Sequence, residues 1–276
     1  MNKIKKGDIV GRISYGKDIA FVVERIIKTN NGRFAILKGL TVRVQADSDL
    51  EDLELMESHQ IAQHIKVLEA KVTKRIQRHI QERKNKSRQF FREKEVIYTG
   101  KILHIDGDKK YSAKSNQYYK KIGLNAIVKN IPERKQYLYV ANLLQKYNPD
   151  ILVLTGHDGM IKKGTNFNDI YNYRNSKYFM KAVEEARKAK LKKDLVIFAG
   201  ACQSYYEALM SAGANFASSP ARILIDFIDP LIVAEHIAIT SEEKFVTIKD
   251  IQDELRNGQR GISGTGGQGK KRILWV

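Results

Sequence analysis

The sequence predicts an α/β fold in which a parallel sheet carries helices on both faces, preceded by a small β-barrel and a basic helix. Two observations predict the sheet. From residue 96 onward, short apolar runs alternate with stretches of helical periodicity, which is the pattern of a parallel sheet. Two of these runs, LVIFAG and ILVLTG, are continuously apolar, as expected for strands that are buried on both faces.

Residues 1–50 have the pattern of short strands joined by tight turns. The segments GDIVGRIS, DIAFVVERII, RFAILKG and TVRVQA are apolar or alternating, and Asn31-Gly32 is a strong hairpin signal. This arrangement predicts a small barrel, similar to the SH3-like barrels at the front of many bacterial proteins. Such barrels bind nucleic acid or peptides, or serve only for docking, so the fold does not decide the role of this segment.

Residues 51–95 change to the pattern of a basic amphipathic helix followed by a linker. Lysines and arginines crowd most faces, and an apolar stripe recurs at steps of three or four, formed by Ile61, Ile65, Leu68, Val72, Ile76 and Ile80. We expect the stripe to pack on a neighbouring element or in a homodimer. The charged faces are either solvated or bind an acidic partner. The segment RKNKSRQFFREKE has the composition of a flexible, protease-sensitive link.

Composition limits the class of protein. The chain has 276 residues and a formal net charge of +18, which favours acidic partners such as nucleic acid. Its single cysteine excludes an intramolecular disulfide and fits a reducing compartment. No apolar run approaches the ~20 residues that span a bilayer, and MNKIKKGDIV lacks the apolar core of a signal peptide. We therefore expect a cytoplasmic protein without a membrane span.

The strands of the predicted sheet end in polar residues, and in open α/β sheets ligands bind beyond the carboxyl ends of the strands. In chain order, these positions are Asp106 and Asp108 after the first strand, His157, Asp158 and Gly159 after the third, Cys202 after the fourth, and Ser218 and Ser219 after the fifth. A carboxylate, an imidazole and a thiol are therefore predicted at one edge of the sheet.

The pair Cys202 and His157 has the chemistry of a nucleophile and its general base. A thiolate is the reactive form of cysteine, and a nearby imidazole takes the thiol proton and later protonates the leaving amine. The backbone N–H groups of Asp158, Gly159 and Cys202 are candidates for the oxyanion hole. Taken alone, Cys202 would more often be a small buried hydrophobe. Because both residues follow an apolar strand and a glycine, the functional interpretation gains weight, and we expect no metal or cofactor.

An apolar strand that ends in His, followed by an apolar strand that ends in Ala-Cys, resembles the caspase-like cysteine peptidases, which include gingipains, clostripain and legumain. His157 stands 45 positions before Cys202, close to the interval of ~50 in caspases. Asp158 occupies the place where those peptidases usually have glycine. The resemblance implies a caspase-like fold for residues 96–276 and a Cys-His dyad.

The chain also resembles, along nearly its whole length, a family of sporulation-specific cysteine peptidases of endospore-forming bacteria. The motifs that carry this resemblance include KILHIDGD, PDILVLTGHD, YRNSKYF, VIFAGACQS and AGANFASSP. It implies cleavage next to arginine in spore-coat or cortex-related precursor proteins during sporulation. Self-processing is a further expectation, and its candidate sites are arginines of the linker and the glycine-rich tail, namely Arg83, Arg88, Arg92 and Arg260.

Arginine specificity requires a buried carboxylate that binds the guanidinium. In gingipain-like members this acid ends the first core strand, the place that Asp106 and Asp108 occupy here. Asp-Gly-Asp is also good turn chemistry, so a strand-terminating turn is the alternative. Ser218 and Ser219 are candidates for the pocket wall. If the two acids of the first strand do not bind arginine, the next candidates are Asp158, Asp226 and Asp229.

Two rival interpretations remain. An apolar strand followed by Asp-x-Asp also resembles haloacid-dehalogenase-type phosphatases, which would make Asp106 a nucleophile, Asp108 an acid/base, and Asp226 and Asp229 magnesium ligands. That interpretation leaves His157 without a role. The other rival is a basic nucleic-acid-binding module without catalysis, formed by residues 1–95; it explains the charge but not the polar strand ends, and it can coexist with peptidase activity.

Overall fold

The computed structural model describes residues 4–30, 32–87, 95–161 and 166–275. Its N-terminal part is an antiparallel sheet of five strands in the order β4-β3-β2-β1-β5. The strands are β1 (Ile9–Arg12), β2 (Phe21–Thr29), β3 (Gly32–Gly39), β4 (Gln45–Asp49) and β5 (Leu53–Leu55). Thr29 pairs with Gly32, so β2 and β3 are antiparallel neighbours on either side of the predicted hairpin turn. Closure of this sheet into an SH3-like barrel stays a prediction.

A long helix, α1 (Ser58–Ser87), follows the N-terminal sheet. Leu68 and Ile76 of the predicted stripe are buried in the core of the chain, and Val72 and Ile80 pack beside them. The stripe therefore finds a partner within the same chain, and a homodimer stays a prediction. The predicted linker falls largely on residues 88–94, which lie outside the described residues.

The central element is a six-stranded, mostly parallel sheet in the order β13-β11-β10-β9-β7-β8. Its strands are β7 (Ile102–Asp106), β8 (Ala126–Asn130), β9 (Ile151–Thr155), β10 (Val196–Ala199), β11 (Phe216–Ser218) and β13 (Ile262–Gly264). All neighbours are parallel except β13, which runs antiparallel to β11. The predicted α/β class and mostly parallel sheet are confirmed.

Helices cover both faces of this sheet because its strands present apolar side chains to each side. Besides α1, the helices are α2 (Lys109–Lys121), α3 (Glu133–Tyr147), α4 (Ser176–Ala189), α5 (Tyr206–Ser211), α6 (Asp229–Ile239) and α7 (Gly258–Gly261). Along β9, Ile151 and Val153 join one core cluster with α1, α2 and α6, whereas Leu152 and Leu154 join the other with α3, α4 and α5.

Two small antiparallel pairs complete the described structure. They join β6 (Glu95–Tyr98) to β15 (Arg272–Trp275), and β12 (Phe245–Val246) to β14 (Gly267–Gln268). Across the described ranges, no helix combines the length and apolar character needed to cross a membrane. The proposed domain limits, 1–50, 51–95 and 96–276, stay predictions.

The N-terminal sheet touches the carboxyl edge of the parallel sheet. The turn between β3 and β4 comprises Leu40–Val44, which we call the β3–β4 turn, and a hydrogen bond from Gly39 N to Val44 O closes it. Val44 pairs in parallel with Asp158, a residue that directly follows the β9 strand end. The segment TVRVQA, predicted as a strand, is thus half turn and half strand, with β4 beginning at Gln45.

Candidate active site

Asp106 is the last residue of β7 and lies fully buried at the carboxyl edge of the sheet. Its Oδ2 atom accepts a hydrogen bond from Thr155 Oγ1, the last residue of β9, at 2.7 Å. The same oxygen lies 2.6 Å from Nη1 of Arg43, a residue of the β3–β4 turn that is also fully buried. The predicted arginine-binding carboxylate therefore faces an arginine of its own chain.

The Arg43 side chain lies between the Asp106 carboxylate and the Tyr111 ring, and we call this space the Asp106 pocket. The guanidinium carbon of Arg43 is 4.9 Å from the centre of the Tyr111 ring. Burial opposes ionisation of Asp106, but the Arg43 charge and a hydrogen bond from His104 outweigh it and hold the pKa of the carboxyl below its ordinary value. The pocket thus combines an ionised acid with an aromatic wall.

Asp108 has a different role from Asp106. Its Oδ1 atom accepts hydrogen bonds from the backbone N–H groups of Lys110 and Tyr111, at 2.8 and 3.1 Å, and so caps the N-terminus of α2. Its own N–H donates to Asp106 Oδ1 at 2.8 Å. The structure therefore places the two acids of the Asp-Gly-Asp motif in different surroundings, one in the pocket and one at a helix end.

His157 lies in the turn after β9 and is 1% exposed. Its backbone N–H donates to Glu133 Oε1 at 2.8 Å, and its Nδ1 atom is 4.0 Å from the same oxygen. Its Nε2 atom is 3.4 Å from the carbonyl oxygen of Gly39. Burial lowers the pKa of the imidazole, whereas the Glu133 carboxylate acts in the opposite direction. The ring is therefore held on one side by an acid and covered on the other by the N-terminal sheet.

Glu133, like Arg43, is a site residue that the sequence analysis missed. It begins α3 directly after Pro132, and its side chain is buried beneath the His157 turn. A Cβ atom added at Gly107 or Gly156 would lie within 2.2 or 2.4 Å of the nearest Glu133 side-chain atom, so both glycines are needed for this close approach. A Pro-Glu pair at a helix start was the available signal, but helix capping explains such a pair equally well.

Cys202 lies in the turn after β10, where Gly200 adopts a φ of +107° that glycine tolerates. The thiol is fully buried, and its sulfur accepts a hydrogen bond from Ile225 N at 3.4 Å. The backbone of Arg43 lies close enough to the sulfur to favour its thiolate form, as does the Ile225 N–H. Burial nevertheless dominates and raises the pKa of Cys202 to about 11. In this covered form the sulfur is a thiol at neutral pH.

Asp158 connects the turn after β9 to the turn after β10. Its Oδ1 atom accepts from the N–H groups of Gly159 and Asn175, at 2.9 and 2.8 Å. Its Oδ2 atom accepts from the hydroxyls of Ser176 and Ser204, at 2.5 and 2.8 Å. Burial raises the pKa of Asp158 to about 6 despite these four hydrogen bonds. Its carboxylate therefore fixes the two turns relative to each other, whereas the Arg43 guanidinium pairs with Asp106.

The backbone N–H of Asp158 points to the covering segment. It donates to the carbonyl oxygen of Arg43 at 3.3 Å, and the Gln45 N–H donates to the Asp158 carbonyl at 2.7 Å. The Gly159 N–H is already engaged by the neighbouring carboxylate. Of the predicted oxyanion-hole donors, Asp158 is thus the one that the structure brings to a peptide carbonyl.

Ser218 and Ser219 support the Cys202 turn. The Ser218 hydroxyl donates to Ala201 O at 2.8 Å, and the Ser219 hydroxyl accepts from Gln203 N at 3.1 Å. Both serines are buried. Their hydrogen bonds therefore hold the thiol-bearing turn, whereas the sequence analysis expected them in the wall of an arginine pocket.

Asp226 and Asp229 form a separate group. The Asp226 N–H donates to Asp229 Oδ2 at 3.0 Å, and the Asp226 carboxylate pairs with Arg256 at 3.1 Å. Burial, followed by the Asp226 charge, raises the pKa of Asp229 to about 7. Across the described ranges, no group of three or more His, Cys, Asp and Glu side chains is arranged to hold a metal ion.

Cys202 and His157 both contact the segment that covers them. In the described part of the chain, no hydrogen bond joins the thiol to the imidazole. The thiol lies by the backbone of Arg43, and the imidazole lies by the carbonyl of Gly39.

The predicted self-processing sites lie in different parts of the chain. Arg260 is exposed in α7, Arg83 belongs to α1, and Arg88 and Arg92 lie outside the described residues.

Comparison with known proteins identifies the family. Residues 5–275 match the family model described as YabG peptidase U57. The chain is 37% identical over 283 aligned positions to the sporulation-specific protease YabG of Bacillus subtilis (strain 168), with 97% of this chain and 96% of the relative covered. No solved structure matches. The family model and the relative both match almost the full length of the chain. The chain therefore belongs to the YabG peptidase family and is a protease.

Proposed function

We propose that this protease is a cysteine endopeptidase that cleaves after arginine, with Cys202 as nucleophile, His157 as general base and Asp106 as the acid that binds the arginine side chain. One observation carries the proposal. A single residue, Arg43, has its guanidinium against Asp106, its carbonyl oxygen at the Asp158 N–H, and its backbone at the Cys202 sulfur. An arginyl residue at the cleaved position of a substrate would meet the same three groups.

The proposed mechanism uses groups of this chain alone. The Asp106 pocket binds the guanidinium, which sets the carbonyl carbon of the substrate arginine beside Cys202. His157 accepts the thiol proton as the sulfur attacks, and the Asp158 N–H stabilises the oxyanion that develops. His157 then protonates the leaving amine, and water hydrolyses the thioester. Glu133 holds the imidazole in place and favours its charged form.

The proposed biological role is taken from the matched relative. Because the curated relative is called a sporulation-specific protease, we propose that the substrates are spore-coat or cortex-related precursor proteins and that the enzyme works in the cytoplasm of the sporulating cell. The proposal requires neither a metal nor a cofactor. Nucleic-acid binding by residues 1–95 is a secondary proposal, which rests on the net charge of +18.

The test is hydrolysis of a short arginyl amide by wild type, Cys202→Ala and His157→Ala. We expect each variant to lose at least about a thousandfold in kcat/KM, because nucleophile and base act as one unit. Unchanged circular dichroism and thermal unfolding would assign the loss to chemistry. Wild-type turnover by Cys202→Ala would refute the nucleophile. Loss of activity on chelation with rescue by a divalent ion would favour the phosphatase-like alternative, whose nucleophile is Asp106.

A further inference from the structure

We propose that the Arg43–Val44 peptide bond is a self-cleavage site, and that the β3–β4 turn blocks the active site until this bond is cut. The proposal rests on the proposed function, since it requires the Cys202 peptidase. It differs from the expectation drawn from the sequence, which placed self-processing in the linker and the tail.

The first argument is that the end of the β3–β4 turn and the start of β4 pair with the carboxyl edge of the parallel sheet. The Arg43 carbonyl and the Gln45 N–H both bond the backbone of Asp158, and Val44 pairs with that residue in parallel. A Cβ atom at Gly159 would lie 2.1 Å from Gln45 O, so the close approach of this strand requires glycine there. The edge is shaped for a peptide backbone at this position.

The second argument is that both the side chain and the main chain of Arg43 contact the proposed active site. A structural arginine would need only its ion pair with Asp106. Arg43 instead also brings its main chain to the two groups that catalysis requires, the Cys202 sulfur and the Asp158 N–H. The carbonyl group that follows the bound arginine side chain belongs to the Arg43–Val44 bond. The chain therefore holds at this edge, beside the buried thiol, the bond that an arginyl substrate would offer for cleavage.

The third argument is that the same segment excludes other substrates. Arg43 fills the Asp106 pocket, and both Cys202 and His157 are almost completely shielded from solvent, at 0% and 1% exposure. The Gly39 carbonyl stands 3.4 Å from His157 Nε2. With its pKa raised to about 11, the covered thiol is a weak nucleophile at neutral pH, so the first cut is expected to be slow.

The step balances as an ordinary thiol hydrolysis. His157 takes the Cys202 proton, the sulfur bonds to the Arg43 carbonyl carbon, and the bond from that carbon to Val44 nitrogen breaks. The new amino group of Val44 receives the proton from His157. Water then hydrolyses the thioester, which leaves a carboxylate on Arg43 and restores the thiol. Once cut, the turn is no longer closed covalently, while β3 and β4 remain paired from Phe34–Asp49 to Lys38–Gln45.

The experiment compares the full-length wild type with three variants, Arg43→Ala, Val44→Pro and Cys202→Ala. For each protein, mass spectrometry detects any new N-terminus, and hydrolysis of an arginyl amide measures activity. Val44→Pro keeps Arg43 in place but makes the bond resistant to cleavage. In the described part of the chain, the Val44 N–H donates no hydrogen bond that proline would remove. Arg43→Ala prevents the cut and empties the pocket.

We expect wild type to yield a fragment that begins at Val44, at a rate independent of protein concentration, while all three variants stay intact at this bond. The arginyl-amidase activity of wild type should rise in parallel with the cut fraction. Intact Val44→Pro should be at least tenfold less active than cut wild type, and Arg43→Ala at least tenfold more active than Val44→Pro.

Three outcomes overturn the proposal. They are equal cutting at Val44 in Cys202→Ala, full amidase activity in wild type that stays uncut at Arg43, and amidase activity of Val44→Pro equal to that of cut wild type. If Val44→Pro fails to fold, the time course of cutting and activity in wild type decides alone. Amidase activity that depends on Cys202 without a cut at Arg43 would reject self-cleavage and leave the proposed function standing, whereas absence of amidase activity in every form would reject the proposed function.

Discussion

The two main sheets of this protein contribute different things to one site. The six-stranded sheet supplies the proposed reacting groups, because its parallel strands bring Asp106, His157 and Cys202 to their shared carboxyl edge. The five-stranded sheet supplies the peptide that lies on this edge, through Arg43 of the β3–β4 turn. The comparison teaches that an N-terminal sheet, which could be taken for a separate docking module, is in contact with the proposed catalytic groups.

The largest effect on substrate specificity is expected at Asp106, the first acid of the Asp-Gly-Asp motif. Asp106→Ala should lower kcat/KM for an arginyl amide, relative to its citrulline counterpart, by at least about 30-fold, which corresponds to ~2 kcal/mol of a desolvated charge-assisted contact. The reason is that, of these two acids, Asp106 is the one that pairs with a guanidinium.

Asp108→Ala is the matched control for this prediction. It removes a carboxylate two positions away that caps α2, so it should cost about 1 kcal/mol of stability and leave the arginine-to-citrulline ratio unchanged. The measurement is kcat/KM for both amides in both variants. A ratio that falls more in Asp108→Ala than in Asp106→Ala would place the arginine pocket elsewhere.

A smaller effect is expected at the residue that supports the base. Glu133→Gln keeps an acceptor for the His157 N–H but removes the charge that favours the imidazolium. We expect kcat to fall roughly tenfold, a fraction of the ~10²–10⁴ that acid–base catalysis contributes. Because a negative charge raises the pKa of His157, its removal should lower that pKa and move the acid limb of the pH–rate profile to lower pH.

The control for Glu133→Gln is Glu184→Gln, which neutralises an exposed acid on α4 far from the imidazole turn. It should leave both kcat and the pH profile unchanged. An acid limb that moves to higher pH in Glu133→Gln, or that does not move at all, would show that the carboxylate does not act on His157.

The sequence predicts the parallel sheet well because the physical signal is local. Strands such as Val196–Ala199 are buried on both faces and therefore apolar at every position. Once the strands are parallel, their carboxyl ends share an edge, so the placement of Asp106, His157 and Cys202 near one another follows from topology. These assignments as catalytic residues remain predictions until the variants are measured.

The covering segment could not be predicted in the same way. Arg43 sits in TVRVQA, whose alternation resembles that of any half-buried strand. Its burial depends on pairing with Asp158 and on an ion pair with Asp106, both far along the chain. Glu133 is a similar case, since its role depends on the close approach of Gly107 and Gly156. Contacts of this kind leave no periodic pattern in the sequence.

The most direct test of the central claim is covalent labelling with an arginyl chloromethyl ketone, followed by peptide mass mapping of the active preparation. The account predicts a single adduct on the Cys202 sulfur. It also predicts labelling at least tenfold slower for the matched citrullyl ketone, and a loss of this preference in Asp106→Ala. If the preparation hydrolyses arginyl amides but carries the adduct on another residue, or is inhibited without any adduct on Cys202, the account is wrong.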